Sequence, residues 1–213
     1  MDVTSTTRRL LAAVLLLGTF AASAIPEEAD SADADDRAVE AAIAKLQSPA
    51  KEERRAAVAR MSDMSSARAT EGLIAALDDP SAAEAAVAAL ARRAHDRSLR
   101  RRAIEGLIHG LDNRKVAVRR TAVAGLADVD TQRSTEGLIH ALDASDPAVE
   151  RAAVGALGRR VGDSRSTERA TEGLIHALDS EQAEVRRDAV QALRAVDSER
   201  AREGLKKADA SAR

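Results

Sequence analysis

Apolar positions along this chain recur at helical spacing and show no strand alternation. In the stretch 172–194, Leu174, Ile175 and Leu178 fall at i, i+1 and i+4, and Val185, Ala189 and Leu193 at i, i+4 and i+8. Each set draws one apolar stripe along one short helix. Neither helix can bury its stripe alone.

The same pair of helices returns along the chain. Glu-Gly-Leu stands at 71–73, 105–107, 136–138, 172–174 and 203–205, at spacings of 34, 31, 36 and 31, and a degenerate copy, Glu40-Ala41-Ala42-Ile43, lies 31 residues before the first. Between copies come a turn with Asp, Ser or Pro and a second motif, Ala57-Val58, Ala86-Val87, Ala122-Val123, Ala153-Val154 and Ala189-Val190, each followed by Leu or Met three positions after Val. Repetition at this period predicts an all-α chain: an α-solenoid superhelix of about five antiparallel helix pairs, closed by a C-terminal half-repeat at 203–208. Pro49, Pro80 and Pro147 mark the first turns of second helices, with Ser48, Asp79 and Asp146 before them as N-caps. Gly inside a helix costs about 1 kcal/mol relative to Ala. Its return at 72, 106, 137 and 173 predicts close approach of adjacent first helices.

The turns Leu77 to Pro80 and Ser145 to Pro147, with the helix Val185 to Leu193 echoed by Val118 to Leu126, resemble HEAT repeats. The similarity is to the short HEAT-like repeats of phycobilisome lyase subunits and of bacterial and archaeal scaffolds, and it covers residues 39 to about 207. It implies a solenoid whose usual work is protein–protein contact. It also implies two rarer activities, accessory subunit of a chromophore or prosthetic-group lyase and metal-dependent hydroxylase.

Outside the repeats the organisation changes. Arg8-Arg9, an apolar run from Leu10, and Ala22-Ser23-Ala24 have the form of a secretory signal over 1–24. This predicts an exported protein, periplasmic or extracellular, or anchored through residues 10–25 where the segment stays uncleaved. Residues 25–38 carry six carboxylates before the first base and read as an acidic flexible linker. The repeat domain is expected over 39–208, and 209–213 as a disordered tail.

Composition narrows the chemistry. Phe20 is the one aromatic residue, cysteine is absent and the formal charge is −2. Stacking on bases therefore lacks its usual rings, and no nucleic-acid partner is expected. Thiol chemistry and thiolate metal sites are ruled out. No phosphate-binding glycine loop or nucleophile elbow occurs, and the chain is read as no enzyme, without cofactor or metal. His109, His140 and His176 occupy one place in successive repeats, opposite the apolar stripe. They are expected in solvent, each paired with the Glu four residues earlier: Glu105, Glu136 and Glu172.

The candidate partner surface is the groove lined by the second helices, formed by the solvent-facing positions of those helices. There Arg55, Arg120, Arg151 and Arg187 share one wheel position, with Glu84 in the remaining repeat, beside Ala59, Ala88, Ala124 and Gly155. Arginines over a carpet of small residues suit another protein's helix or extended segment, pairing its carboxylates. The competing expectation is that these arginines pair with turn aspartates such as Asp143 or Asp179. A second candidate is an anion site formed by Arg92, Arg93, Arg97, Arg100, Arg101 and Arg102, where the repeat lengthens.

Overall fold

The computed structural model describes residues 27–162 and 166–211. The expected signal segment at 1–24 lies outside them. The chain divides into two compact units, 1–38 and 39–213. The described residues form eleven α-helices: α1 Glu27–Lys45, α2 Lys51–Ser62, α3 Ala67–Ala75, α4 Ala83–Arg93, α5 Arg100–Gly110, α6 Val116–Ala127, α7 Gln132–His140, α8 Pro147–Arg160, α9 Thr167–His176, α10 Ala183–Arg194 and α11 Glu199–Ser211. One-turn 3₁₀ segments at Ala76–Asp78, Ala141–Asp143 and Ala177–Asp179 end α3, α7 and α9.

In the second unit the helices form two layers. First helices α3, α5, α7, α9 and α11 pack in succession, as do second helices α2, α4, α6, α8 and α10. This is the α-solenoid that the repeat predicts. One fully buried Leu in each of α3 to α10 marks the seam: Leu73, Leu90, Leu107, Leu126, Leu138, Leu157, Leu174 and Leu193. Each such burial contributes about 1.5–3 kcal/mol, and only stacking of neighbours delivers it.

The recurring glycine sets how closely the first helices approach. A Cβ on Gly106 would stand 2.7 Å from Ile74 Cγ1 and 2.9 Å from Leu90 Cδ1; on Gly137, 2.8 Å from Ile108 and 2.9 Å from Leu126; on Gly173, 2.7 Å from Ile139 and 2.9 Å from Leu157. Ile43 and Met61 do the same for Gly72, and Ile175 for Gly204. At Gly72, Gly106, Gly137 and Gly173 an Ile and a Leu or Met of the preceding repeat thus press onto a bare backbone, and at Gly204 an Ile does so.

Three local expectations need correction. Residues 27–38, read as a flexible linker, are helical as part of α1. Alanines at 29, 32, 34 and 38 favour helix, and carboxylates suit its N-terminal turns. At the other end α11 runs to Ser211, through most of the stretch read as a disordered tail. Of the three expected caps only Asp146 fulfils the role, accepting from the Ala148 and Val149 amides with Pro147 in the first turn. Ser48 and Asp79 instead close short turns ahead of their helices, on the Ala50 and Ser81 amides.

Candidate functional site

The outer register of the second helices is where the wheel places it. Arg55, Glu84, Arg120, Arg151 and Arg187 are all exposed, as are Ala59, Ala124 and Gly155, while Ala88 is half-buried. The face is also partly self-paired. Arg55 donates to the Ser81 carbonyl at 2.9 Å, and Glu84 takes Lys115 at 2.7 Å. Arg151 reaches Asp188 at 3.0 Å and Glu184 at 3.2 Å, which raises its guanidinium above the ordinary value. Arg187 is 3.9 Å from Glu184. Arg120 makes no ion pair among the described residues. It borders a depression of about 620 Å³ between α6 and α8, floored by Ala124, Ala127, Ala152 and Gly155 and closed by Arg159.

The turn-pairing expected of these arginines belongs to their neighbours one position earlier. Arg54 pairs with Asp79, and Arg119 lies 3.9 Å from Asp146. A one-residue shift is about 100° of helix. It separates a side chain lying along the turn from one standing on the outer face.

The proposed anion cluster does not assemble. Arg93 is 6% exposed; it donates to Thr70 Oγ1 at 2.7 Å and to the carbonyls of Met61 and Met64. Burial pulls its guanidinium below the ordinary value. Arg100 turns back onto the Ala94 and His95 carbonyls, and Arg102 pairs with Glu71. Arg101 stands 4.0 Å from Glu105. Arg92 and Arg97 alone stay exposed without a described pairing. The physical reason is that backbone carbonyls and Glu71 compete for these guanidinium groups and hold them apart.

Arg160 repeats the Arg93 arrangement two repeats on, donating to Thr135 Oγ1 and to the carbonyls of Leu126 at 2.5 Å and Val129 at 2.7 Å. In the intervening repeat the same two positions hold Ile104 and Val129, both buried. This clamp escaped the sequence reading. Its signal was an Arg three residues after the core Leu90 and Leu157, where α6 and α10 are followed by Val129 and Val196.

The histidines are half-exposed as expected, but their partners differ. His109 stands 3.4 Å from Asp78, His140 3.2 Å from Asp112 and His176 3.6 Å from Asp143, each an aspartate in the preceding repeat's turn. The glutamates assigned to them pair with arginines instead. Glu136 takes Arg133 and Arg169, and Glu172 takes Arg169 and Arg200. Among the described residues no three His, Asp or Glu side chains converge as a metal site, and no helix is long and apolar enough to cross a membrane.

Residues 104–194 match the family of HEAT repeats. An engineered protein of known structure superposes with a TM-score of 0.51 at 20% identity, over 81% of this chain and 85% of that one. A designed armadillo repeat protein, solved in complex with the peptide (KR)4, gives 0.50 at 21% identity, over 81% and 88%. The Escherichia coli protein YibA gives 0.50 at 19% identity, over 74% of this chain and 59% of its own length. At these identities the likeness is one of fold. No curated protein matches the chain.

Proposed function

Because the segment 104–194 consists of HEAT repeats, we propose that the protein is a non-enzymatic interaction scaffold, exported by its N-terminal segment, that holds another protein on the outer face of its second helices. The observation that carries this reading is the depression between α6 and α8. Its floor is alanine and glycine, so a partner's backbone can approach closely, and Arg120 and Arg159 stand at its margins to pair with carboxylates. A face of this kind supplies few apolar anchors. Its affinity comes from backbone proximity and desolvated guanidinium pairs rather than from aromatic hot spots.

Composition supports the reading: Phe20 is the one aromatic residue, it lies in the segment that export would remove, and cysteine is absent, so base stacking and thiol chemistry lack their usual residues. The test is crosslinking capture from the native envelope fraction, with the chain tagged at Arg213. The mature N-terminus is read by mass spectrometry in the same sample and is expected at Ile25. Charge reversal at Arg120, Arg151 and Arg187 together is expected to leave helicity unchanged and abolish capture. Capture retained by the triple variant would overturn the assignment of the face.

A further inference from the structure

One register position on the second helices faces back toward the turn that leads into each helix. There Arg54 donates to the carbonyls of Ser48 at 2.8 Å and Pro49 at 3.0 Å. Arg119 donates to those of Asn113 at 2.7 Å and Arg114 at 3.2 Å, and Arg186 to those of Ser180 at 2.7 Å and Glu181 at 2.9 Å. In each case the guanidinium reaches the carbonyls six and five residues before it. Three turns are therefore built to hold a guanidinium group.

In α8 the same position is Glu150, and the carbonyls six and five residues before it are those of Ala144 and Ser145. A carboxylate cannot donate to them, and no described residue forms a hydrogen bond to either. Glu150 is 7% exposed; its amide donates to the Asp146 carbonyl at 3.1 Å, and its carboxylate has no hydrogen bond or ion pair among the described residues. Its carboxyl oxygens are not sealed in the core without a partner; they reach an open cleft. The same position in the next turn departs in step: Asp79 and Asp146, which pair with Arg54 and Arg119, are matched by Gln182, which lines the same cleft as Glu150.

Glu150 lines a cleft of about 490 Å³, together with Asp143, Asp179, Glu181, Gln182 and His176. Four carboxylates there meet one imidazole, and His176 is already beside Asp143 at 3.6 Å. We infer that this cleft binds a guanidinium group, the side chain of an arginine in a basic segment of a partner protein. The chain itself displays the matching chemistry three times: the turn carbonyls take the guanidinium N–H groups, and the Glu150 side chain adds a carboxyl acceptor at the same place. A charge-assisted, forked contact of this kind favours arginine over the compact ammonium of lysine. A divalent metal fits less well, because the carboxylates do not converge as a ligand set. The cleft shares no residue with the depression between α6 and α8, so either site can fail without the other.

The test uses the full chain and the blocked tripeptide acetyl-Gly-Arg-Gly-amide, followed by NMR at the Ala144, Ser145 and Gln182 amides and the Glu150 carboxyl carbon. Saturable shifts at these four positions are expected, with the citrulline counterpart at least about tenfold weaker because it lacks the charge. Glu150→Gln is expected to weaken binding by about tenfold. Glu150→Arg, which gives this turn the side chain of its siblings, is expected to keep full helicity and lose the response. The proposal is overturned if the tripeptide moves none of the four signals, if citrulline binds equally, or if Glu150→Arg responds as before. Calcium or magnesium chloride saturating the Glu150 signal while the tripeptide leaves it unmoved would also overturn it and assign the cleft to a metal ion.

Discussion

Ile108 fills the space directly in front of Gly137: a Cβ on that glycine would come within 2.8 Å of Ile108 Cγ1 and 2.9 Å of Leu126 Cδ1. The contact joins one repeat to the next, and the same contact recurs from Ile43 to Gly204. Neighbouring first helices approach to the distance at which the Ile of one leaves no room for a side chain at the glycine of the next.

Gly137→Ala should therefore destabilise the protein although alanine is the better helix former. Overpacking costs about 1–3 kcal/mol and the propensity gain is about 1 kcal/mol, leaving a net loss of up to about 2 kcal/mol. Ile108→Val in the same chain should recover part of it. Denaturant unfolding of the two single variants and the double variant would measure the coupling, and strict additivity would remove Ile108 as the cause.

Arg160→Met should cost about 1–3 kcal/mol, because the Leu126 and Val129 carbonyls and Thr135 Oγ1 lose a charged donor inside the core, although Val129, Thr131 and Ser134 still donate to those two carbonyls. Arg159→Ala, one residue away and exposed, should stay within about 0.5 kcal/mol. Thermal unfolding of the pair decides the matter. Equal losses would show that the buried clamp contributes nothing beyond an ordinary surface arginine.

Acid should weaken the protein partly through Asp79. Burial pushes its carboxyl up, but the Ser81 hydroxyl and amide and the Arg54 guanidinium more than offset this, and it titrates below the usual carboxylate range. A carboxyl lower in the folded than in the unfolded state stabilises above the unfolded value, about 3.9, and that contribution is lost as pH falls through the folded value. Asp79→Asn should lower stability at pH 7 and flatten its decline below about pH 4. An unchanged pH profile would contradict the role given to this carboxyl.

The three His–Asp pairs, by contrast, should be nearly silent. Their side chains are about half-exposed, and pairs of that kind contribute about 0–1 kcal/mol. Replacing His109, His140 and His176 together by Ala should leave the unfolding midpoint within a few degrees, as read by circular dichroism. A large fall would mean that the ladder matters to the stack.

What was legible in the sequence was what helical periodicity encodes. The apolar stripe places Leu107, Leu126 and Leu138 in the core, and the wheel places Arg120 and Arg151 on the outer face. Partner identity across a repeat boundary was not legible, because a wheel gives direction within one helix and no distance to the next. Hence His140 was assigned to Glu136 on its own helix, although Asp112 in the preceding turn stands nearer its ring. Arg93 was misread for a different reason. It lies in a run of arginines that resembles a solvated loop, yet its register is that of the apolar Val129 and Val196, where the long stem is buried and the head meets Thr70 Oγ1 and two main-chain carbonyls.

The Arg93 and Arg160 clamps also bear on how such a chain can be rearranged. Arg93 and Thr70 belong to one repeat, as do Arg160 and Thr135, and the remaining acceptors are main-chain carbonyls of the repeat before. Since every repeat has a main chain, any predecessor can offer them. A repeat of this type carries its own fastener, and a block cut from Thr70 to Arg93 or from Thr135 to Arg160 could be transplanted, duplicated or reordered without redesigning the neighbour it joins.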